Sequence, residues 1–182
     1  CNLKGEYFMN KDLKKIGTIN YKKGKYANVF IIGNFIFFVL IGIVFIILNN
    51  SMESNNIKGQ WFLLGCFGYI ILHEIIHLIF MKIFSKEKIS ISIKSPTISV
   101  GSNAIFSKKQ FSIIALAPVI ILGILLVLLI LFTSEEYTFL WSILLILNFA
   151  GSGGDYLQFF KIRKYPADTY FQDTSVETII FQ

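Results

Sequence analysis

The sequence predicts an all-α multi-pass membrane protein with four transmembrane helices. Its 182 residues are 54% hydrophobic and only 15% charged, whereas soluble domains of this length are usually less apolar and more charged. A helix needs roughly 20 apolar residues to cross a membrane. Four runs reach that length, at 29–48, 61–84, 111–132 and 138–160.

The uneven distribution of basic residues predicts the orientation of the spans. Of the 17 lysines and arginines, seven lie in residues 1–28, six in 82–110 and three in 161–182. Because such residues are enriched in cytoplasmic loops, we expect both termini in the cytoplasm and the protein in the cell membrane. Topology also accounts for the net charge of +6, so no nucleic-acid partner is expected. The predicted organisation is a basic N-terminal segment (1–28), a four-helix core (29–160) and a C-terminal tail (161–182).

The loop between the second and third spans has a pattern of its own. Residues 89–94 alternate apolar and polar side chains, and the alternation resumes at 97–100 after Ser95-Pro96. Alternation of this kind is typical of a half-exposed strand. It favours a short β-hairpin at the cytoplasmic surface, and a flexible loop with fortuitous alternation stays an equal alternative.

The second span carries His73-Glu74-Ile75-Ile76-His77, which contains both histidines of the chain. Residues four apart on a helix lie one turn above each other on the same face. This spacing lets two imidazoles bind one zinc ion while the adjacent glutamate acts as a general base. Ionisable residues inside a membrane helix are costly unless they are paired or used. The motif therefore indicates an intramembrane metalloprotease with one zinc per chain.

A catalytic zinc takes three protein ligands and leaves a fourth position for water, so a third ligand is needed. Besides Glu74, the only acidic residue in the predicted spans is Asp155. At about 1.5 Å per residue, His73 and His77 lie roughly 18 and 24 Å along the second span, and Asp155 lies roughly 26 Å along the fourth. Both spans run in the same direction, so the three side chains reach similar depths. Asp155 is the predicted third ligand, and a helix-end aspartate paired with Lys161 or Arg163 is the alternative.

The residues before Asp155 suggest how it could reach the metal. Gly151, Gly153 and Gly154 weaken the helix and allow close backbone approach, so they could let the fourth span bend. A simple helix-packing face explains the same glycines equally well. Asn148 lies two turns before Asp155, and we predict that its amide donates a hydrogen bond to substrate.

These motifs resemble the site-2 class of intramembrane zinc metalloproteases and, more closely, small bacterial membrane proteins described as putative zincin peptidases. The resemblance covers roughly residues 25–160. It rests on the motif from His73 to His77, the entry into the third span from Ser107 to Pro118, and the stretch from Asn148 to Asp155. The site-2 class usually has a proline between its asparagine and its aspartate, and this chain has glycines instead.

The resemblance implies a role for each of the candidate residues. The zinc ligands would be His73, His77 and Asp155, and Glu74 would be the general base. The substrate would be a membrane protein or membrane-associated peptide, cut within or near its own transmembrane helix. Residues 89–106 would pair with an unwound strand of that substrate.

Two other hypotheses compete with the protease. One is a metal-binding membrane protein without proteolysis, such as a transporter or sensor, and the other is a small scaffold with a fortuitous motif. A transporter needs ligands along a path through several spans. The first and third predicted spans contain no ionisable residue, which counts against transport.

Overall fold

The computed structural model describes residues 13–20, 25–48, 59–94, 97–175 and 177–182. Within these ranges the chain forms a helical bundle with strands at one end. The helices are α1 (Lys25–Leu48), α2 (Gly59–Phe84), α3 (Lys108–Phe132), α4 (Thr138–Gly151) and α5 (Gly153–Ile162). The strands are β1 (Lys15–Asn20), β2 (Ile89–Lys94), β3 (Thr97–Ser102), β4 (Phe106–Ser107), β5 (Tyr170–Asp173) and β6 (Glu177–Phe181).

The bundle contains four helical segments that are long and apolar enough to cross a membrane. They cover Tyr26–Leu48, Trp61–Phe84, Lys108–Phe132 and Glu135–Ile162, within a few residues of the predicted spans. Much of their apolar surface is exposed, as at Ile36 and Leu64. Large exposed apolar surfaces are rare on soluble monomers, so the composition of this surface indicates a membrane protein.

The fourth span is interrupted, because α4 ends at Gly151 and α5 begins at Gly153. The last carbonyls of a helix lack hydrogen-bond donors within the helix, and here side chains provide donors for them. The Ser152 hydroxyl donates to the carbonyl oxygen of Asn148 (2.6 Å). Asn34 of α1 donates from Nδ2 to the carbonyl oxygens of Phe149 (3.2 Å) and Ala150 (3.0 Å). The break is therefore satisfied within the protein, as a membrane interior requires.

The all-α prediction was wrong outside the spans, where β1, β4, β5 and β6 form a four-stranded antiparallel sheet in the order β1-β6-β5-β4. The pairing of β1 with β6 places Lys15 opposite Phe181. Partners this far apart in sequence leave no local signature, so the segments 1–28 and 161–182 resembled polar ends. The sheet is held to the bundle by a core that includes Phe106, Phe111 and Phe171.

The predicted hairpin between the second and third spans is present. β2 and β3 pair antiparallel from Ile89 opposite Ser102 to Lys94 opposite Thr97, and the connecting residues 95–96 lie outside the described ranges. β3 also packs against the turn between β5 and β6, where the Ser99 hydroxyl donates to the carbonyl oxygen of Ser175 (3.0 Å). The alternation of residues 89–94 thus indicated a real strand.

The strands gather at one end of the bundle, called the sheet end below. β1 precedes the first span and β6 follows the fourth, and the two strands are paired. Both ends of the described chain therefore lie on the same side. An even number of helices long enough to cross a membrane, here four, is consistent with this arrangement.

Gly101 provides a test of the contact between β3 and the turn after β5. A Cβ at this position would overlap the backbone nitrogen of Ser175, and backbone cannot move aside as a flexible side chain can. We expect Gly101→Ala to lower the free energy of unfolding by about 1–3 kcal/mol, the usual cost of overpacking. Thermal unfolding in detergent measures the effect.

Gly17→Ala in β1 is the matched control, because its Cβ would lie 3.8 Å from the nearest side chain, Ile180. That separation is ordinary van der Waals contact, so its effect should stay within about 0.5 kcal/mol. Equal unfolding temperatures for the two variants would show that β3 and the turn are not in contact.

Candidate metal centre

Three side chains from two helices converge inside the bundle. His73 and His77 lie on one face of α2 with their ring centroids 5.1 Å apart. Asp155 lies in the first turn of α5. Its Oδ2 is 3.1 Å from Nε2 of His73, and its Oδ1 is 3.5 Å from Nε2 of His77. Among the described residues these three are the group that could hold a metal ion, with their ligand atoms all within 4.8 Å of one another.

The spacing of these atoms fits a tetrahedral ion. Zinc binds nitrogen and oxygen ligands at about 2.0–2.1 Å, which places neighbouring tetrahedral ligands about 3.3 Å apart. The two contacts of Asp155, at 3.1 and 3.5 Å, bracket that value. Two imidazoles and one carboxylate are also a ligand set typical of zinc. The residues present therefore fit zinc.

His77 is fixed in the tautomer that a metal ligand needs. Its Nδ1 lies 2.9 Å from the carbonyl oxygen of Ile114 in α3, and a carbonyl can only accept. The proton is therefore on Nδ1, and the lone pair of Nε2 is free to bind a metal. In a regular helix the Ile114 carbonyl would accept the N–H of residue 118. That residue is Pro118, which has no N–H, so the proline leaves this carbonyl available to His77.

His73 is oriented by a chain of polar groups behind it. The Tyr69 hydroxyl donates to Oδ1 of Asn148 (3.2 Å) and lies 3.3 Å from Nδ1 of His73. Its single proton is used on Asn148, so its oxygen accepts from Nδ1 of His73. The other end of the Asn148 amide, Nδ2, donates to the carbonyl oxygen of Val119 (2.9 Å). Both histidines thus present Nε2 to Asp155.

The glycines around Asp155 have different surroundings. A Cβ on Gly153 would lie 3.3 Å from the backbone of Ile31 in α1, so this glycine allows close helix packing. Gly151 and Gly154 line a cavity, and a Cβ on either would meet nothing within 4 Å. Both predicted roles of the glycines, packing and bending, therefore have a counterpart at the break. Asp155 also gains from its place in the first turn of α5, where a negative charge interacts favourably with the helix dipole.

A cavity of about 330 Å³ adjoins two of the three candidate ligands, His77 and Asp155. His77, Asp155 and Glu74 contribute to its wall, together with residues of β3 and of the turn after β5. Glu74 and Val100 of β3 line this cavity together. Glu74 therefore faces the space beside the metal cluster without belonging to the cluster.

Most of the bundle, from α2 to the start of β5, matches a known protein family. Residues 66–170 match a family described as putative zincin peptidase. The chain belongs to this family. The matched residues include the motif on α2 and Asp155, and membership implies a zinc metallopeptidase, a hydrolase. The chain matches no curated protein and no solved structure.

The zincin peptidase has a further carboxylate in its cavity that the sequence did not reveal. Asp173 at the end of β5 lines the cavity. Its Oδ2 accepts from Nε2 of Gln158 (2.8 Å) and its Oδ1 from the backbone N–H of Ser175 (3.0 Å). Burial raises the pKa of the Asp173 carboxyl despite these two hydrogen bonds, which lower it. Asp173-Thr174-Ser175 is a turn signal between two strand-like runs, and that signal could have located it.

Asp155 and Asn148 both have their partners inside the bundle. Among the described residues, the ion-pair partners of Asp155 are the two histidines rather than Lys161 or Arg163. Asn148 is fully buried, and its amide is engaged with Tyr69 and Val119. Its substrate-binding role stays a prediction.

Pro118→Ala tests the origin of the His77 tautomer. The new N–H would compete for the Ile114 carbonyl, so His77 would lose a fixed orientation while the helix would gain propensity. We expect zinc affinity to fall about tenfold, the lower end for groups that orient a metal ligand, without loss of thermal stability. Competition with a chromogenic chelator in detergent measures the affinity.

Val119→Ala is the control for volume, because it shortens the neighbouring buried side chain and leaves the hydrogen-bonding pattern of α3 unchanged. The assignment fails if Pro118→Ala binds zinc as tightly as this control.

Tyr69→Phe tests the chain of polar groups behind His73. The ring is kept and the acceptor for Nδ1 is removed, so zinc affinity should fall about tenfold. Tyr137→Phe, which removes an exposed hydroxyl at the other end of the bundle, should leave affinity unchanged.

The same chelator competition on Asn148→Ala separates two roles: lower zinc affinity indicates support of Tyr69, whereas unchanged affinity with a raised KM indicates contact with substrate.

Proposed function

We propose that this zincin peptidase is an intramembrane endopeptidase that hydrolyses a peptide bond in or near a transmembrane segment of its substrate. The substrate would be a membrane protein or a membrane-associated peptide. The observation that carries the proposal is the position of the cluster. His73, His77 and Asp155 all lie within helical segments long and apolar enough to span a membrane. Such residues are retained in a bilayer when they serve a function.

His73, His77 and Asp155 would hold one zinc ion per chain through the atoms that now face each other. When bound, zinc polarises the scissile carbonyl and makes a water molecule nucleophilic at neutral pH. The Nδ1 hydrogen bonds of the two histidines keep both rings in place during turnover, because neither ring can rotate without losing its acceptor.

Glu74 is suited to the role of general base. It follows His73 by about 100° of helical rotation, which separates it from the ligand atoms but leaves it in the same cavity. Its carboxylate would take a proton from the attacking water and deliver that proton to the nitrogen of the leaving amine.

The cavity walls favour an extended substrate. Gly151 and Gly154 line the cavity without a side chain to fill it. Ser99 and Val100 place β3 in the cavity wall. A substrate segment that runs beside β3 would pass close to Glu74. Peptide bonds in a helix are shielded by their neighbours, so the segment must unwind first, and strand-like pairing could offset the lost helical hydrogen bonds.

The protein would be a multi-pass protein of the cell membrane with both termini in the cytoplasm. The three segments that carry 16 of the 17 lysines and arginines are 1–28, 82–110 and 161–182. Their described strands all lie at the sheet end. Under the positive-inside rule this end is cytoplasmic. His77 is seven residues from the end of α2 at Phe84, about 10 Å along the helix, so water would reach the site from the cytoplasm.

Glu74→Gln separates catalysis from metal binding. Glutamine keeps the size of the side chain and cannot take a proton, so the variant should retain one zinc per chain and lose cleavage by about 100-fold or more. Asp155→Ala should lose zinc and cleavage together. Zinc is measured in detergent-purified protein by elemental analysis, and cleavage by mapping new N-termini of membrane proteins in cells that express each form.

Three outcomes distinguish the hypotheses. Loss of zinc from Glu74→Gln would remove this residue from the base role. Bound zinc in the wild type, with no new N-termini that depend on Glu74, would favour a metal sensor or transporter. Absence of zinc from folded wild-type protein that never met a chelator would leave only the scaffold.

A further inference from the structure

A second and larger cavity lies on the outer surface of α3, away from the metal. This groove, called the α3 groove, has a volume of about 660 Å³. Its apolar wall is formed by Phe80 of α2 and by Ile113, Leu116, Ile120 and Ile121 of α3, and Lys108 and Lys109 lie at its sheet end. None of its lining residues lines the metal cavity, so a peptide held in this groove would not reach Glu74.

The length of the α3 groove matches one leaflet of a bilayer. It extends along α3 from Lys108 to Ile121, a rise of about 20 Å at 1.5 Å per residue. Half of a hydrocarbon core is about 15 Å, so the groove begins at headgroup level and ends just beyond the midplane. A transmembrane helix of a partner would need a surface about 30 Å long. A lipid acyl chain fits better than a helix.

The positive charge at the sheet end of the groove determines which kind of lipid headgroup would bind there. Lys108 donates from Nζ to the carbonyl oxygens of Arg163 (2.9 Å) and Tyr165, which fixes its ammonium beside the groove. Lys109 is exposed. Among the described residues, no carboxylate forms an ion pair with either lysine. Two uncompensated positive charges at headgroup depth attract an anionic phosphate group.

We propose that the α3 groove binds an anionic phospholipid, with one acyl chain against Leu116 and Ile120 and the headgroup phosphate at Lys109. Lys108 contributes charge from its fixed position. The inference rests on the membrane insertion proposed above and is independent of proteolysis. Lipid bound here would also cover the outer face of α3 near Pro118. The opposite face of α3 carries the Ile114 carbonyl that accepts the hydrogen bond from His77.

Native mass spectrometry of the detergent-solubilised protein tests the proposal directly. The protein is titrated with phosphatidylglycerol or with phosphatidylcholine of identical acyl chains. We expect the anionic lipid to bind at least fivefold more tightly, since one lysine near a phosphate changes affinity by about that factor. Lys109→Gln should lower phosphatidylglycerol affinity about fivefold and phosphatidylcholine affinity by much less, because the choline group cancels the charge of the phosphate in that lipid.

Two further variants locate the effect. Lys164→Gln removes an exposed charge at the same end of the bundle that does not line the groove, so phosphatidylglycerol affinity should not change. Ile120→Trp enlarges an exposed side chain in the groove wall and should weaken both lipids. Thermal unfolding of each variant in detergent verifies that the bundle is folded.

The proposal is overturned if the two lipids bind equally, or if Lys109→Gln and Lys164→Gln have the same effect. It is also overturned if a copurified polypeptide occupies the groove and phosphatidylglycerol does not displace it. Membrane insertion is examined separately by alkaline extraction of membranes. Retention in the pellet combined with no lipid preference would remove the lipid site alone, whereas extraction would remove insertion itself.

Discussion

The metal centre depends on a carbonyl group that an ordinary helix would not offer. Inside a membrane every backbone polar group needs a partner within the protein, and helical carbonyls are normally taken by the N–H four residues later. Pro118 removes one such N–H, and the Ile114 carbonyl then accepts from His77. The proline thus affects the metal centre as well as the hydrogen bonding of α3. It creates the acceptor that decides which nitrogen of His77 faces the metal.

The same reasoning applies to the break in the fourth span. Asp155 reaches the histidines because it begins a new helix, and the end of the preceding helix must then be satisfied by other groups. Asn34 is the only strongly polar side chain in its predicted span, and it donates to two carbonyls at that break. Ser152 supplies a third donor. Asn34 and Ser152 therefore donate where the helical hydrogen bonding of the fourth span stops.

The parts of the site that follow from helix geometry could be predicted from sequence. His73 and His77 share a face because of their spacing, and Asp155 reaches their depth because of the rise per residue. Partners on separate helices could not be predicted in the same way. Asn34 lies 115 residues from Phe149, and no local pattern pairs them. The structure alone connects Pro118 to His77.

The sheet escaped prediction for a related reason. Strand pairing between chain ends has no fixed spacing in sequence, in contrast to the alternation that revealed the β2–β3 hairpin. Apolar spans dominate the composition, and the polar ends then resemble simple tails. The all-α class was wrong for this reason, whereas four helices long and apolar enough to cross a membrane lie within a few residues of the predicted spans.

The strands outside the helices also help to build the site. Val100 of β3 lines the cavity beside Glu74, and Gln158, one turn after Asp155 on α5, donates to Asp173 of β5. The sheet end thus forms part of the cavity wall beside the candidate base and holds the helix of the third ligand. The family match ends at residue 170, before Asp173. The α1 helix with Asn34 lies before its start at residue 66. The unit that shapes this metal centre is therefore larger than the matched segment, because groups on both sides of that segment satisfy the helix break and close the cavity.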